Sequence, residues 1–260
     1  MATRADLLPT PAANDDGFFL GSAIAMALVI AAGFSLQLAM GRSTFSSPPL
    51  VHAHALVFMG WVTLYVAQNF FVASGNMALH RRLGWVGAGW VVVMLGLGCA
   101  VTLAMVRGGR APFFFQPQQF LVFDPLTLFV FAGLTAAAIR RRHQSDWHRR
   151  LHFCAMTLLL GPALGRLLPM PLLAPWAFEA VFVTAMLFPA AGVIADMRRT
   201  GRVHPAWWWG IAANVITLIA VEAITYSAVG NALYGAVTQG TPGAALPGLD
   251  FSPPPGPPPN

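Results

Sequence analysis

Residues 17–40 read GFFLGSAIAMALVIAAGFSLQLAM, a run without one charged side chain. About 20 apolar residues cross the hydrocarbon core of a bilayer as a helix, and this run supplies them. Further runs of the same kind follow. They predict spans at roughly 17–41, 49–74, 84–106, 121–141, 149–168, 175–197 and 205–230. The expected fold is therefore all-α, an integral membrane bundle of seven transmembrane helices over 17–230. A short N-terminal segment, 1–16, precedes it, and a Pro-rich tail over 241–260, expected to be disordered, follows it. The fifth run is closed by Leu168-Pro169-Met170-Pro171, a tight helix break.

Composition excludes the other classes. Of 260 residues, 57% are apolar and 9% are charged, against about 25% charged in a typical soluble domain. So few charges cannot cover a soluble domain of this size. The wealth of large apolar side chains excludes disorder. Residues 1–16 carry Asp6, Asp15 and Asp16 against Arg4, the wrong sign for the n-region of a signal peptide, so the first run is expected to stay as a helix. Cys99 and Cys154 both lie inside apolar segments, and no disulfide framework is indicated.

The 15 basic residues are all Arg, and the net charge is +6. In a soluble protein that balance suggests nucleic acid. Here the Arg residues sit in short turns between apolar runs, so the expected partners are the bilayer and its anionic lipid headgroups, not nucleic acid; membrane-protein partners stay open. With seven spans, Arg4, Arg81, Arg82, Arg140, Arg141, Arg142, Arg149, Arg150, Arg198, Arg199 and Arg202 fall on one side, and Arg42, Arg107, Arg110 and Arg166 on the other. The positive-inside rule puts the first set in the cytoplasm. The expected location is a bacterial inner membrane, N-terminus inside and tail in the periplasm.

The basic turns repeat. His80-Arg81-Arg82, His148-Arg149-Arg150 and Arg202-Val203-His204 each open a helix, and His54, Asp124 and Glu179 lie about one helix length before them. Either duplication or a repeated helix length explains this. His148 and His152 are i, i+4 and share a helix face. The plainest role of these turns is to anchor the chain at the lipid surface. The chemical role is haem b held by His80 with His152 or His148, the adjacent Arg residues suiting its propionates.

At the opposite end, ionisable residues inside the apolar runs are costly and so are functional candidates. These are His52, His54, Asp124, Arg166, Glu179 and Glu222. Glu222 lies 17 residues after Pro205, roughly 25 Å along a helix. His52, His54, Glu179 and Glu222 together suit a transition metal such as Cu, Fe or Zn. Asp124 before Pro125 also reads as an N-cap, and Glu179 as a partner for Arg166. Ser47 reads as a further N-cap, and Pro48, Pro49 and Pro175 as first-turn prolines. The expectation is one outward polar pocket joining His54, Glu179 and Glu222 to Arg166. The face through His54, Phe58, Trp61, Tyr65 and Gln68 reads as a helix–helix contact.

The run His52-Ala53-His54-Ala55-Leu56-Val57-Phe58-Met59-Gly60-Trp61, the turn His80 to Gly84, the run His148 to His152 and His204-Pro205-Ala206 resemble a widespread set of uncharacterised bacterial multi-pass inner-membrane proteins. That resemblance implies fold and location and no activity. More loosely, His residues at helix ends beside basic turns are similar to the b561-type membrane cytochromes, which implies haem. There is no P-loop, no Rossmann glycine pattern, no His-Glu-x-x-His, no Gly-x-Ser-x-Gly and no Cys-x-x-Cys. Three functions stay open: a metal- or haem-binding component of a membrane redox process, an ion- or proton-coupled transporter, and a metal-dependent membrane hydrolase.

Overall fold

The computed structural model describes residues 15–42 and 45–251. The described residues are helical with no strand. The helices are α1 (Asp15–Ala39), α2 (Pro49–Ala73), α3 (Met77–Arg107), α4 (Pro117–Arg140), α5 (Ser145–Leu158), α6 (Gly161–Leu167), α7 (Met170–Leu173), α8 (Ala177–Thr200), α9 (Pro205–Thr225) and α10 (Ala228–Thr238). Six of them, α1, α2, α3, α4, α8 and α9, are long and apolar enough to cross a membrane.

The fifth expected run is two helices instead of one. Pro162 has no N–H to give to the carbonyl of Leu158, and its ring crowds that carbonyl. The chain tightens ahead of it into i→i+3 bonds, Leu159 N–H to Met156 O at 3.1 Å and Leu160 N–H to Thr157 O at 3.2 Å. α5 ends there and α6 resumes. At this break α1 comes close: a Cβ on Gly33 would lie 2.6 Å from Ala163 O.

Helix starts also differ from expectation. α4 begins at Pro117, where a missing N–H costs nothing. Asp124 and Pro125 therefore lie inside α4, and Asp124 is not an N-cap. It accepts a hydrogen bond from the hydroxyl of Thr102 on α3 instead. The cap of α2 is Pro48, with Pro49 as its first residue. Pro175 lies two positions ahead of α8.

α1 packs on α2, α2 on α3, α3 on α4 and α4 on α5, and α6, continuing from α5, packs back on α1. These elements close a ring. α8 and α9 lean on its outside against α5, α6 and α4. α9 stops at Thr225, and Ser227 caps α10 by accepting from Gly230 N–H at 3.2 Å.

The segment expected as a disordered tail begins folded. A 3₁₀ turn spans Pro242–Ala245. The Tyr234 hydroxyl sits 3.1 Å from Gly243 O and 3.0 Å from Leu246 O. Gln118 N–H donates to Gly248 O at 2.8 Å and Gln116 Nε2 to Leu249 O at 2.7 Å. Gly248 O thus satisfies a first-turn N–H of α4 that the helix itself leaves free. Residues 252–260, like residues 1–14, lie outside the described residues.

Candidate functional site

A partly open cavity of about 530 Å³ lies between α2, α3, α4 and α5, with the N-terminal end of α1 at its side. It lies at the Arg-rich end. His80, His148 and His152 all line it, so three helix-end histidines from two separate turns meet in one space. Arg81, Arg142 and Arg149 line the same cavity, with Asp16 as an acidic neighbour. The α2 face through Trp61, Tyr65 and Gln68 forms a wall of it.

Local structure places each histidine. Asn76 caps α3 by accepting from Leu79 N–H at 3.2 Å, which sets His80 in the first turn. His148 sits in the first turn of α5, and its Nδ1–H donates to Ala138 O on α4 at 2.9 Å. That bond fixes the tautomer and leaves Nε2 with the lone pair. The rings of His148 and His152 are 4.8 Å apart at 84°, and those of His80 and His148 are 6.1 Å apart at 88°.

Several polar atoms of the cavity-lining residues are buried without a protein partner. They are Trp61 Nε1, both ends of the Gln68 amide, His80 Nδ1, Thr135 Oγ1 and Arg149 Nε. Natural interiors satisfy most such groups. Among the described residues, six of the ten such atoms belong to residues that line this cavity.

Beside the cavity lies a second polar assembly, which sequence reasoning missed. Arg150 on α5 and Asp196 on α8 are 4% and 1% exposed. They pair in two parallel bonds, Nε to Oδ2 at 2.9 Å and Nη2 to Oδ1 at 2.7 Å. Asp196 Oδ2 also accepts from Trp207 Nε1 at 2.9 Å and from His204 N–H at 3.2 Å. Asp15 on α1 pairs with Arg149, Arg150 and Arg199. Asp146 pairs with Arg149 and Arg150. Partial burial works against ionisation of Asp146, but the two guanidiniums outweigh it and hold its carboxyl below the ordinary range. His204 is held below its ordinary value, first by burial and then by Arg150, while Asp146 and Asp196 pull the other way. Trp207 is fully buried and fits because α8 carries Gly192, where a Cβ would run into its ring.

At the other end the structure brings some candidates together and not others. His52 Nε2 bonds Phe45 O at 3.1 Å, near the helix start. His54 stacks on Phe58 at 4.1 Å, and Arg166 is the charge it feels. Arg166 donates to Pro162 O at 2.7 Å and covers Phe34 at 4.3 Å. Glu222 accepts from Gln119 Nε2 at 2.9 Å, and Glu179 is the neighbouring charge. Among the described residues Arg166 makes no ion pair. Among the described residues no ion pair joins His54 or Arg166 to Glu179 or Glu222. Among the described residues no three His, Cys, Asp or Glu side chains come together in a geometry that holds a bare ion. The metal set expected from His52, His54, Glu179 and Glu222 is therefore not assembled.

Comparison with protein-family models, with curated proteins and with solved structures finds no match to this chain.

Proposed function

We propose that the chain is a seven-span inner-membrane protein, with α5 and α6 together making the fifth span and the Arg-rich end in the cytoplasm, that binds haem b in the histidine-lined cavity and serves a membrane redox process. The observation that carries the reading is the meeting of His80, His148 and His152 in one space of about 530 Å³. Cofactor sites run to about 300–1,000 Å³.

The residues fit the group. A bare ion asks the protein for three or four ligands, whereas haem asks for one or two. His80, His148 and His152 are the side chains that would hold the group. Arg81 and Arg142 suit propionates, and Trp61 and Leu64 supply apolar wall. When bound, haem supplies one-electron chemistry. The chain's residues hold it, exclude lipid and water, and set its surroundings.

An absorption spectrum of the purified full chain, supplied with haem during expression, tests this. The expected result is a Soret band that His148→Ala abolishes. Absence of the band in the unsubstituted protein overturns the reading.

One observation favours transport as a second reading. The break at Leu159 and Leu160 lies within a span, and broken helices are a habit of transporters. Glu179 and Glu222 are then the coupling groups. Proton or cation flux in proteoliposomes, lost in Glu222→Gln, is its expected signature.

A further inference from the structure

The guanidiniums of the Arg-rich end are divided unequally. Arg149, Arg150 and Arg199 are taken up by Asp15, Asp16, Asp146 and Asp196. Arg81 and Arg82 near the start of α3, with Arg140, Arg141 and Arg142 where α4 ends, are exposed, and among the described residues no carboxylate pairs with them. The two groups adjoin. Arg81 and Arg142 line one cavity, and the Arg142 guanidinium lies 5.9 Å from the ring centre of Trp85 on α3. Arg141 rests on Trp147 at 4.1 Å and donates to Gln144 Oε1 at 3.3 Å. A long side chain already held on an aromatic ring has less freedom to lose on binding. Trp85 is itself exposed, and so, further along the same two helices, are Val92, Val93 and Phe129.

Unpaired cations where spans end meet the phosphates of the cytoplasmic leaflet, and basic pockets between spans on that side select particular headgroups. Guanidinium takes phosphate oxygens in two parallel bonds. We infer that the adjoining ends of α3 and α4 form a headgroup site for an anionic phospholipid with two phosphates, of the cardiolipin type. One phosphate sits on the Arg81 and Arg82 side and the other on the Arg140 to Arg142 side. The acyl chains run over Val92, Val93 and Phe129. The inference rests on the membrane reading above and not on haem. Two propionates reaching the rim from the cavity occupy only part of this set of cations.

Thermal melting of the full chain tests this, with the protein purified in detergent without added haem, stripped of lipid, and given lipid in mixed micelles. Cardiolipin is expected to raise the melting temperature at a lower concentration than phosphatidylglycerol does at equal phosphate. Each guanidinium at such a surface is worth about fivefold in affinity. Arg81→Gln combined with Arg142→Gln should therefore need about 25-fold more cardiolipin. Arg198→Gln combined with Arg202→Gln removes the same charge from the turn between α8 and α9 and should leave the response unchanged. Arg81→Lys combined with Arg142→Lys is the milder variant, which keeps the charges and loses the paired bonds. It should need more cardiolipin than the unsubstituted protein and less than the Gln pair. Equal losses from the two Gln pairs, or cardiolipin no better than phosphatidylglycerol, overturn the inference. A full response to inorganic phosphate alone overturns it in favour of a free anion, and a stronger response to polyglutamate in favour of an acidic protein. The haem reading stands or falls separately, on its Soret band.

Discussion

Two polar assemblies lie side by side at the Arg-rich end, and they differ in how completely they are satisfied. Around Asp196 both carboxylate oxygens are occupied, by Arg150, Arg199, Trp207 and the backbone of His204. Around the cavity, Trp61, Gln68, His80 and Thr135 carry polar atoms with nothing to bond. Arg149 belongs to both: it pairs with Asp15 and Asp146 on one side while its Nε is unpartnered toward the other. Buried polar groups are saturated in one place and not in the other. Saturation is what a structural junction requires, because an unpaired buried charge is expensive. Lack of it is what a binding site requires, because its partner comes from outside.

The strongest way to break this contrast is at the junction. Asp196→Asn takes from Arg150 its two-bond partner and leaves it Asp15 and Asp146, and should cost about 1.5–3 kcal/mol of stability. A large fall in the melting temperature of the detergent-solubilised protein is the expected result. A combined Arg150→Met, Asp196→Leu variant removes both charges and should recover a good part of the loss. If Asp196→Asn melts with the unsubstituted protein, the junction is not what ties α1, α5, α8 and α9 together.

The cavity should respond in the opposite sense. Replacing an unpaired buried polar group by an apolar one of similar shape removes a desolvation cost of about 1–3 kcal/mol. Gln68→Leu is therefore expected to raise the stability of the ligand-free protein by about 1 kcal/mol and to weaken ligand binding. A lower melting temperature in Gln68→Leu would show that the amide already has a structural job, and would erase the difference between the two assemblies.

Much of this was legible in the sequence, and what was not has physical causes. The apolar runs gave the long helices, because a helix that meets lipid has to be apolar on nearly every face. The repeated basic turns pointed to His80, His148 and His152. Arg150 and Asp196 stayed hidden because charges at the end of a run look like headgroup contacts; only the fold turns them toward each other. The split between α5 and α6 was signalled by Pro162, but that residue sits in a leucine-rich stretch whose hydropathy outweighs one proline. The folded part of the tail could not be seen, because it is held mainly by its backbone carbonyls, which leave no side-chain pattern. Trp61, Tyr65 and Gln68 repeat at helical spacing whether they face another helix or a cavity, so periodicity alone could not separate the two.

The smallest expected effect concerns acid, and it sharpens the contrast by asking what the junction tolerates. His204 caps α9 through Nδ1, which accepts from Ala206 N–H at 3.1 Å. The cap needs the neutral ring, and burial and Arg150 oppose its protonation. The unfolded chain takes up a proton at this position near pH 6.5, whereas the folded chain does so only at lower pH. Between those two values the unfolded state binds more protons, so stability falls as pH falls. The contribution is fully present above about pH 6.5 and is lost below it, levelling off once pH passes the folded value. Asp146 adds its own loss at more acid pH, because its carboxyl is held low in the fold and must be protonated on unfolding. His204→Ser keeps a capping oxygen and removes the titrating ring. Melting temperatures of His204→Ser should therefore decline less than those of the unsubstituted protein as pH falls below about 6.5. Identical slopes would mean that folding leaves the protonation of this ring unchanged, so that the junction carboxylates offset burial and Arg150.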